Sequence, residues 1–474
     1  MKSYAWAKLL FGSSTQGGLT LIKIAIAFAL YSFYSLFLSP LVFAQQALSL
    51  DTLWQNRPDF LSLEAEQQSR MQFLDGQFRS GLDGSDQAME LRTTVKATMQ
   101  FDKFTVVSEL ADMRAIFADQ VTPLDNTIVD PLDILQLNLR FSLSDIFGED
   151  NESFVQIGRF TLDQGNRRWV ARNRFRNTIN TFAGVWASLE EGNSRYQFFY
   201  TLPTNRRNDG NPLDNKPLPD NETGDGHFWG LFYNTIISTE RDQLELYLYG
   251  LNENRHALEP ELRNRLLSPG VRLFRSPAAS RWHYEGEFML QRGKAPARQG
   301  STLGQAQRAH FVHLEAGYSF AAPWQPSLSL IYDYASGDSN PLDNENNSFD
   351  SLFGVPRTEY GPTGIYRAFV RNNINTPGLL LTLQASDNID AFIKFQDYSL
   401  AAEQQGWRTT RYQHPGGLAE TRIGTQLETR LRWHVLPSNL TLEAGVTWLR
   451  AGPYMDRIGK GNSRYVYVQT ILRL

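Results

Sequence analysis

Six arginines fall within eighteen residues of this chain, Arg159, Arg167, Arg168, Arg172, Arg174 and Arg176 in the segment RFTLDQGNRRWVARNRFR. A guanidinium is planar and always charged, and it grips one carboxylate through two parallel hydrogen bonds. This density suits recognition of acidic ligands. Its plainer use would be a solvated basic face against lipid phosphates or lipopolysaccharide. A second set, Arg92, Lys96, Arg140, Lys394, Arg430 and Arg432, is accompanied by Glu245, Glu285, Glu287, Glu315, Glu428 and Glu443. Interleaved charges of both signs line ion-selective passages, and they also zip a wall together.

No catalytic constellation appears: there is no nucleophile elbow, zinc-protease motif or phosphate loop, and no enzyme is expected. His310, His313 and Glu315 are the nearest to a transition-metal set. Positions 310 and 313 of a strand, however, face opposite sides. Asp333, Asp338, Asp343 and Glu345, with Asn340 and Asn344, offer hard oxygen ligands. Ca²⁺ in the 333–345 loop is therefore the one cofactor expectation, although the spacing is not that of an EF-hand.

The elements that must position these residues are strands. In TQLETRLRWHV (425–435), Gln426, Glu428, Arg430, Arg432 and His434 share one parity, and Leu427, Leu431, Trp433 and Val435 lie on the other. Alternate strand side chains point to opposite faces, so one side is charged and the other greasy. The pattern recurs from about residue 88 to the end, and Met89–Phe101 and Leu135–Phe141 are clear examples. Adding segments near 71–80 and 365–373, the chain reads as about 18 strands. Charge on a lipid face would cost about 2–4 kcal/mol at midplane, which sends these residues inward.

The fold expected is all-β, a transmembrane antiparallel β-barrel with long extracellular loops over 71–474. Residues 204–226 and 336–362 are the clearest loops. Residues 45–70 lack alternation and read as a periplasmic lead-in able to dock a secretion partner. Residues 1–44 read as a signal peptide: Lys2, Lys8 and Lys23, an apolar run from Ile24 to Leu38, then Val42-Phe43-Ala44 before cleavage.

The absence of cysteine excludes disulfides and thiolate metal sites, which suits a Gram-negative envelope location. A net charge of −4 gives no support for nucleic-acid binding. Aromatics at strand ends, Phe198, Phe199, Tyr200, Phe228, Trp229, Tyr247, Tyr249, Trp282, Tyr284, Tyr332, Tyr334, Trp448, Tyr465 and Tyr467, read as interfacial girdles.

Several motifs resemble the alginate export family of outer-membrane barrels. They are Gly158-Arg159-Phe160, Asp163-Gln164-Gly165-Asn166-Arg167-Arg168, Asn177-Thr178 and Phe182-Ala183-Gly184-Val185, then Tyr332-Asp333-Tyr334-Ala335-Ser336-Gly337-Asp338, Asn340-Pro341, Phe349-Asp350 and Leu352-Phe353-Gly354. Phe160 and Ala183 stand where the family usually has Gln and Asp. The resemblance implies a monomeric barrel passing an anionic, alginate-like polysaccharide by diffusion through an arginine-lined constriction. Arg159, Arg167 and Arg168 fall inside the matched motif. Uptake of small anionic or sugar solutes is the alternative.

Overall fold

The computed structural model describes residues 49–474, except 51–53, 55, 120, 149–150, 207–210, 223–225, 240, 255–262, 297–303, 411 and 413–419. The leader expected over 1–44 lies outside the described residues. Eighteen antiparallel strands close into a barrel. They are β1 (Leu61–Asp75), β2 (Ser85–Gln100), β3 (Phe104–Ile116), β4 (Asp130–Ser142), β5 (Phe154–Phe160), β6 (Phe182–Glu191), β7 (Ser194–Asn205), β8 (Gly226–Ile236), β9 (Gln243–Asn254), β10 (Arg263–Arg275), β11 (Arg281–Ala295), β12 (Gln305–Ser319), β13 (Ser327–Ala335), β14 (Ile374–Ser386), β15 (Ile389–Ser399), β16 (Arg422–Leu436), β17 (Leu440–Ala451) and β18 (Ser463–Arg473). Each pairs with the next, and β1 closes the ring on β18 from Glu66–Arg473 to Asp75–Arg464.

Closure satisfies every strand edge, as a lipid-embedded backbone requires. Connections at one end are short, such as 101–103, 192–193 and 437–439. Those at the other end are long, such as 161–181, 206–225, 336–373 and 400–421. Short turns mark the periplasmic side and long loops the extracellular side. Among the described residues no helix is long and apolar enough to cross a membrane.

The outer row is apolar and solvent-accessible in the isolated chain, with Leu137, Leu330 and Trp282 55%, 66% and 67% exposed. The inner row carries Arg70, Arg92, Glu90, Glu245, Glu287, Lys394 and Glu428, all buried. The alternation thus divides lipid from lumen as the sequence implies.

Four expectations need correction. β1 begins at Leu61, within the segment assigned to the lead-in, because its outward row (Ala65, Gln67, Ser69) is too weakly apolar to announce a strand. Residues 365–373 form no strand; Ile365, Tyr366, Ala368, Phe369 and Arg371 are buried inside the barrel, covered on all sides. In β4, Leu135 turns inward and is fully buried, because the register slips between Glu109 and Leu110.

The aromatic girdle is also only partly outward. Trp229, Trp282, Tyr332 and Trp448 belong to the outer row, whereas Phe199, Phe228, Tyr247, Tyr249, Tyr465 and Tyr467 point in and are buried. Several inward rings cover glycines on the neighbouring strand. A β-carbon on Gly270 would lie 2.1 Å from Tyr247, and one on Gly445 2.3 Å from Tyr467. The lumen is therefore not uniformly polar. It holds an aromatic core in which Phe369 stacks on Tyr398 at 3.6 Å and Phe78 stacks on Trp407 at 5.2 Å.

Candidate functional site

The arginine-rich connection 161–181 crosses the lumen. At one end Arg92 of β2 donates to the carbonyls of Arg174 (3.1 Å) and Arg176 (3.0 Å), and Arg70 of β1 donates to that of Phe175 at 2.6 Å. The side-chain amide of Asn177 adds a bond of 2.9 Å to the Ile128 carbonyl. At the other end Arg168 is held by Glu285 (2.8 Å) and Glu287 of β11, and the Trp169 indole donates to Glu287 at 2.5 Å and to Tyr247 at 3.0 Å. In a ring of eighteen, β2 and β11 are half a circumference apart, so the segment is pinned to opposite walls.

A second connection, 336–373, meets it midway. Val170 and Phe353 form a parallel bridge, the Phe353 amide donates to Trp169 O at 3.0 Å, and Val355 donates to Arg167 O at 3.1 Å. Gly354 is required there, since a β-carbon would lie 1.7 Å from the Arg168 carbonyl oxygen. This connection is itself tied to the wall. Arg357 binds Glu428 of β16 at 2.5 Å, and Lys394 of β15 donates to the carbonyls of Thr358 and Glu359, both at 2.9 Å. Phe175 lies between the guanidiniums of Arg70 (4.1 Å) and Arg357 (4.6 Å).

The arginines of the basic stretch have separate fates. Arg168 is 3% exposed and bound by Glu285, Glu287 and Glu359. Burial alone would lower its pKa, but Glu359 and Glu285 raise it, so its charge is fixed. Glu359 answers in kind: burial would raise it, yet Arg371 and Arg168 hold it at about 2. Arg172 forms a two-pronged bond to Glu109 at 2.5 and 2.9 Å.

Arg159 sits on the row of Ile157, opposite Leu137 and Ala183, rather than on the row of Gln156 and Phe160. Asp133 holds it at 2.7 Å, with Asp220 and Glu222 each at 3.7 Å. Arg167, in the left-handed region at φ 67°, makes no side-chain hydrogen bond or ion pair with the described residues.

Arg174 is exposed beside Asp163 at 2.9 Å. Among the described residues Arg176 bonds only neutral oxygens, Asn180 Oδ1 at 2.5 Å and the Thr178 carbonyl at 3.3 Å. Burial and the like charges of Arg206 and Arg367 pull its pKa well down, against weaker support from Asp125 and Asp130. Arg206 reaches the Ile179 carbonyl and lies 3.5 Å from Asp130, and Arg367 donates to Thr127 at 3.1 Å and lies 3.9 Å from Asp125. Asp220 and Asp133 also act on Arg206, beside Arg159, so acids are not scarce in this cluster; among the described residues it is Arg176 that has no carboxylate bonded to it. Sequence reasoning missed Arg206 and Arg367, since each belongs to a different long loop and only the fold brings them beside Arg176.

The other predicted inward cations are on the inner row and all partnered. Arg92 donates to Glu66 at 3.0 Å, Lys96 pairs with Glu64 at 2.7 Å, and Lys394 with Glu428 at 3.1 Å. Arg430 pairs with Asp390, and Arg432 with Glu443 at 2.7 Å. Arg140 donates to Gln156 at 2.9 Å over the Phe154 ring. Lys96, Arg140, Arg430 and Arg432 lie toward the periplasmic ends of their strands, away from the crossing segments.

The acids of 333–345 are not brought together. Asp333 is buried against His313 Nδ1 at 2.8 Å, whereas Asp338 and Asp343 accept backbone N–H bonds from Asn340 and Glu345 in their own turns. Among the described residues the one trio of ligand atoms within reach of one another is Asp130, Asp133 and Asp220, where Arg159 and Arg206 already sit. His310 and His313 face opposite sides, as expected.

The model of the family described as "Alginate export" matches residues 59–468. This chain belongs to the alginate export family. Its members' fold and localisation apply: it is an outer-membrane β-barrel channel, with the family and fold of transport barrels rather than enzymes. Among solved structures it is similar to OccK2 (OpdF) of Pseudomonas aeruginosa, 12% identical, TM-score 0.54, over 87% of this chain and 98% of that one. Another is OpdK of the same organism, solved with vanillate, 10% identical, TM-score 0.53, over 87% and 99%. A second OccK2 structure, in complex with glucuronate, is 13% identical, TM-score 0.51, over 87% and 98%. No curated protein sequence matches the chain.

Proposed function

We propose that this barrel passes an anionic, uronate-type saccharide by passive diffusion, and that the substrate's carboxylates are drawn past Arg167, Arg174, Arg176 and Arg367. The observation that carries this reading is the state of Arg176, where segment 161–181 crosses the lumen. Among the described residues it has no carboxylate bonded to it, and Arg206 and Arg367 stand near. A fixed, under-compensated positive charge in a narrow, low-dielectric passage concentrates anions and rejects cations. Membership of the alginate export family supports a polyuronate strand as the substrate.

A second reading, uptake of small acidic solutes, is favoured by the bracing of the crossing segment on opposite walls, and by OccK2 having been solved with glucuronate. Reversal potentials across planar bilayers test the shared part. Wild type prefers chloride to potassium, and Arg176→Gln with Arg367→Gln lowers that preference about threefold or more. An unchanged ratio would remove these side chains from the path. Current block by long oligouronates, compared with single uronates, separates polymer from small solute.

A further inference from the structure

The lipid-facing row carries a basic patch unrelated to the lumen. Arg265 on β10, Arg292 and Lys294 on β11, and Arg308 on β12 are all exposed on the outer row, at the strand ends nearest the long loops. Register sets them against each other, with Arg265 opposite Lys294 and Arg292 opposite Arg308. Like charges directly opposite in a ladder destabilise it unless an anion lies between them. Arg265 and Lys294 make no side-chain hydrogen bond or ion pair with the described residues. Among the same residues Arg292 reaches only the Gln291 carbonyl, at 3.0 Å, and Arg308 has Glu345 at 2.9 Å. Among the described residues one carboxylate therefore serves four cations. Elsewhere on the outer row Arg114 is paired with Asp112 and Arg422 with Asp397, both at 2.7 Å.

Height in the membrane argues the rest. On β11 the row descends from Arg292 through Leu290, Phe288, Gly286 and Tyr284 to Trp282, and on β12 His310, stacked on Tyr334 at 5.3 Å, lies next below Arg308. At about 3.3 Å per residue the apolar stretch crosses the hydrocarbon, so the patch lies at headgroup level. The long-loop end faces the outer leaflet.

We propose that Arg265, Arg292, Lys294 and Arg308 form a binding site for the phosphomonoester groups of an outer-leaflet glycolipid of the lipid A type. Guanidiniums bind phosphate oxygens two at a time, and a phosphate between facing strands cancels their repulsion. The test is native mass spectrometry of the folded barrel with bisphosphorylated lipid A, dephosphorylated lipid A or phosphatidylglycerol. Bisphosphorylated lipid A binds wild type best. Arg292→Gln with Arg308→Gln weakens it about tenfold, Arg265→Gln with Lys294→Gln weakens it to a smaller degree, and Arg422→Gln changes nothing. All these residues are exposed, and a heat-modifiable gel shift verifies folding. Equal binding of the dephosphorylated lipid, equal binding of phosphatidylglycerol, or undiminished binding by both double variants would overturn the site.

Discussion

The two ends of the segment that crosses the lumen are built from the same residue type and behave oppositely. At Arg168 one cation meets Glu285, Glu287 and Glu359 and is sealed from water. At Arg176 the guanidinium bonds, among the described residues, only Asn180 and a backbone carbonyl, with Arg206, Arg367, Asp125 and Asp130 nearby. The first is a strut and the second an unspent charge. An arginine-rich stretch therefore does not translate into an arginine-lined path. What matters is whether the wall supplies an acid within bonding distance: β11 does so for Arg168, whereas Asp130 of β4 supports Arg176 only from farther off.

That contrast breaks most severely at the strut. Arg168→Ala leaves buried Glu287 without its cation and takes one of two from Glu359 and Glu285, which keep Arg371 and Arg272, and should destabilise the barrel interior by about 3–5 kcal/mol, read as a lower Tm. The same substitution at Arg176 should leave stability within about 0.5 kcal/mol of wild type, since no bonded carboxylate loses its cation. Next comes the junction between the two crossing connections. Gly354→Ala drives a β-carbon into the Arg168 carbonyl and should cost about 1–3 kcal/mol, with noisier single-channel current as the segments separate.

Acid sharpens the comparison. Glu359 is held at about 2 from an ordinary 4.5, so its ionised form contributes stability above pH 4.5, and that contribution fades as pH falls from 4.5 toward 2. Glu359→Gln should flatten the acid limb of a Tm–pH curve over that window, while Arg176→Gln leaves it in place. The smallest effect is expected at Arg167→Gln. Loss of a guanidinium with no side-chain partner among the described residues should trim anion preference in reversal-potential measurements without moving Tm.

Much of the wall was legible before folding. Alternation in 425–435 placed Glu428, Arg430 and Arg432 inside and Leu431 and Trp433 outside, because a strand's period of two leaves no other arrangement compatible with lipid. It failed at β1, whose outer row is weakly apolar, and at 365–373, where an alternating stretch is wrapped by protein on every side. It failed for Tyr247, Tyr249, Tyr465 and Tyr467, because an aromatic ring suits both a headgroup belt and a luminal core.

By itself the sequence determined the barrel, its two faces and the family, since these follow from local period and contiguous motifs. The tertiary structure alone decided which arginines are spent on glutamates and which are left without a bonded carboxylate. That choice depends on partners brought from the far side of the ring, as β11 is brought to Arg168 and two other loops to Arg176. Charge compensation is set by distance in space, and a sequence records only distance along the chain.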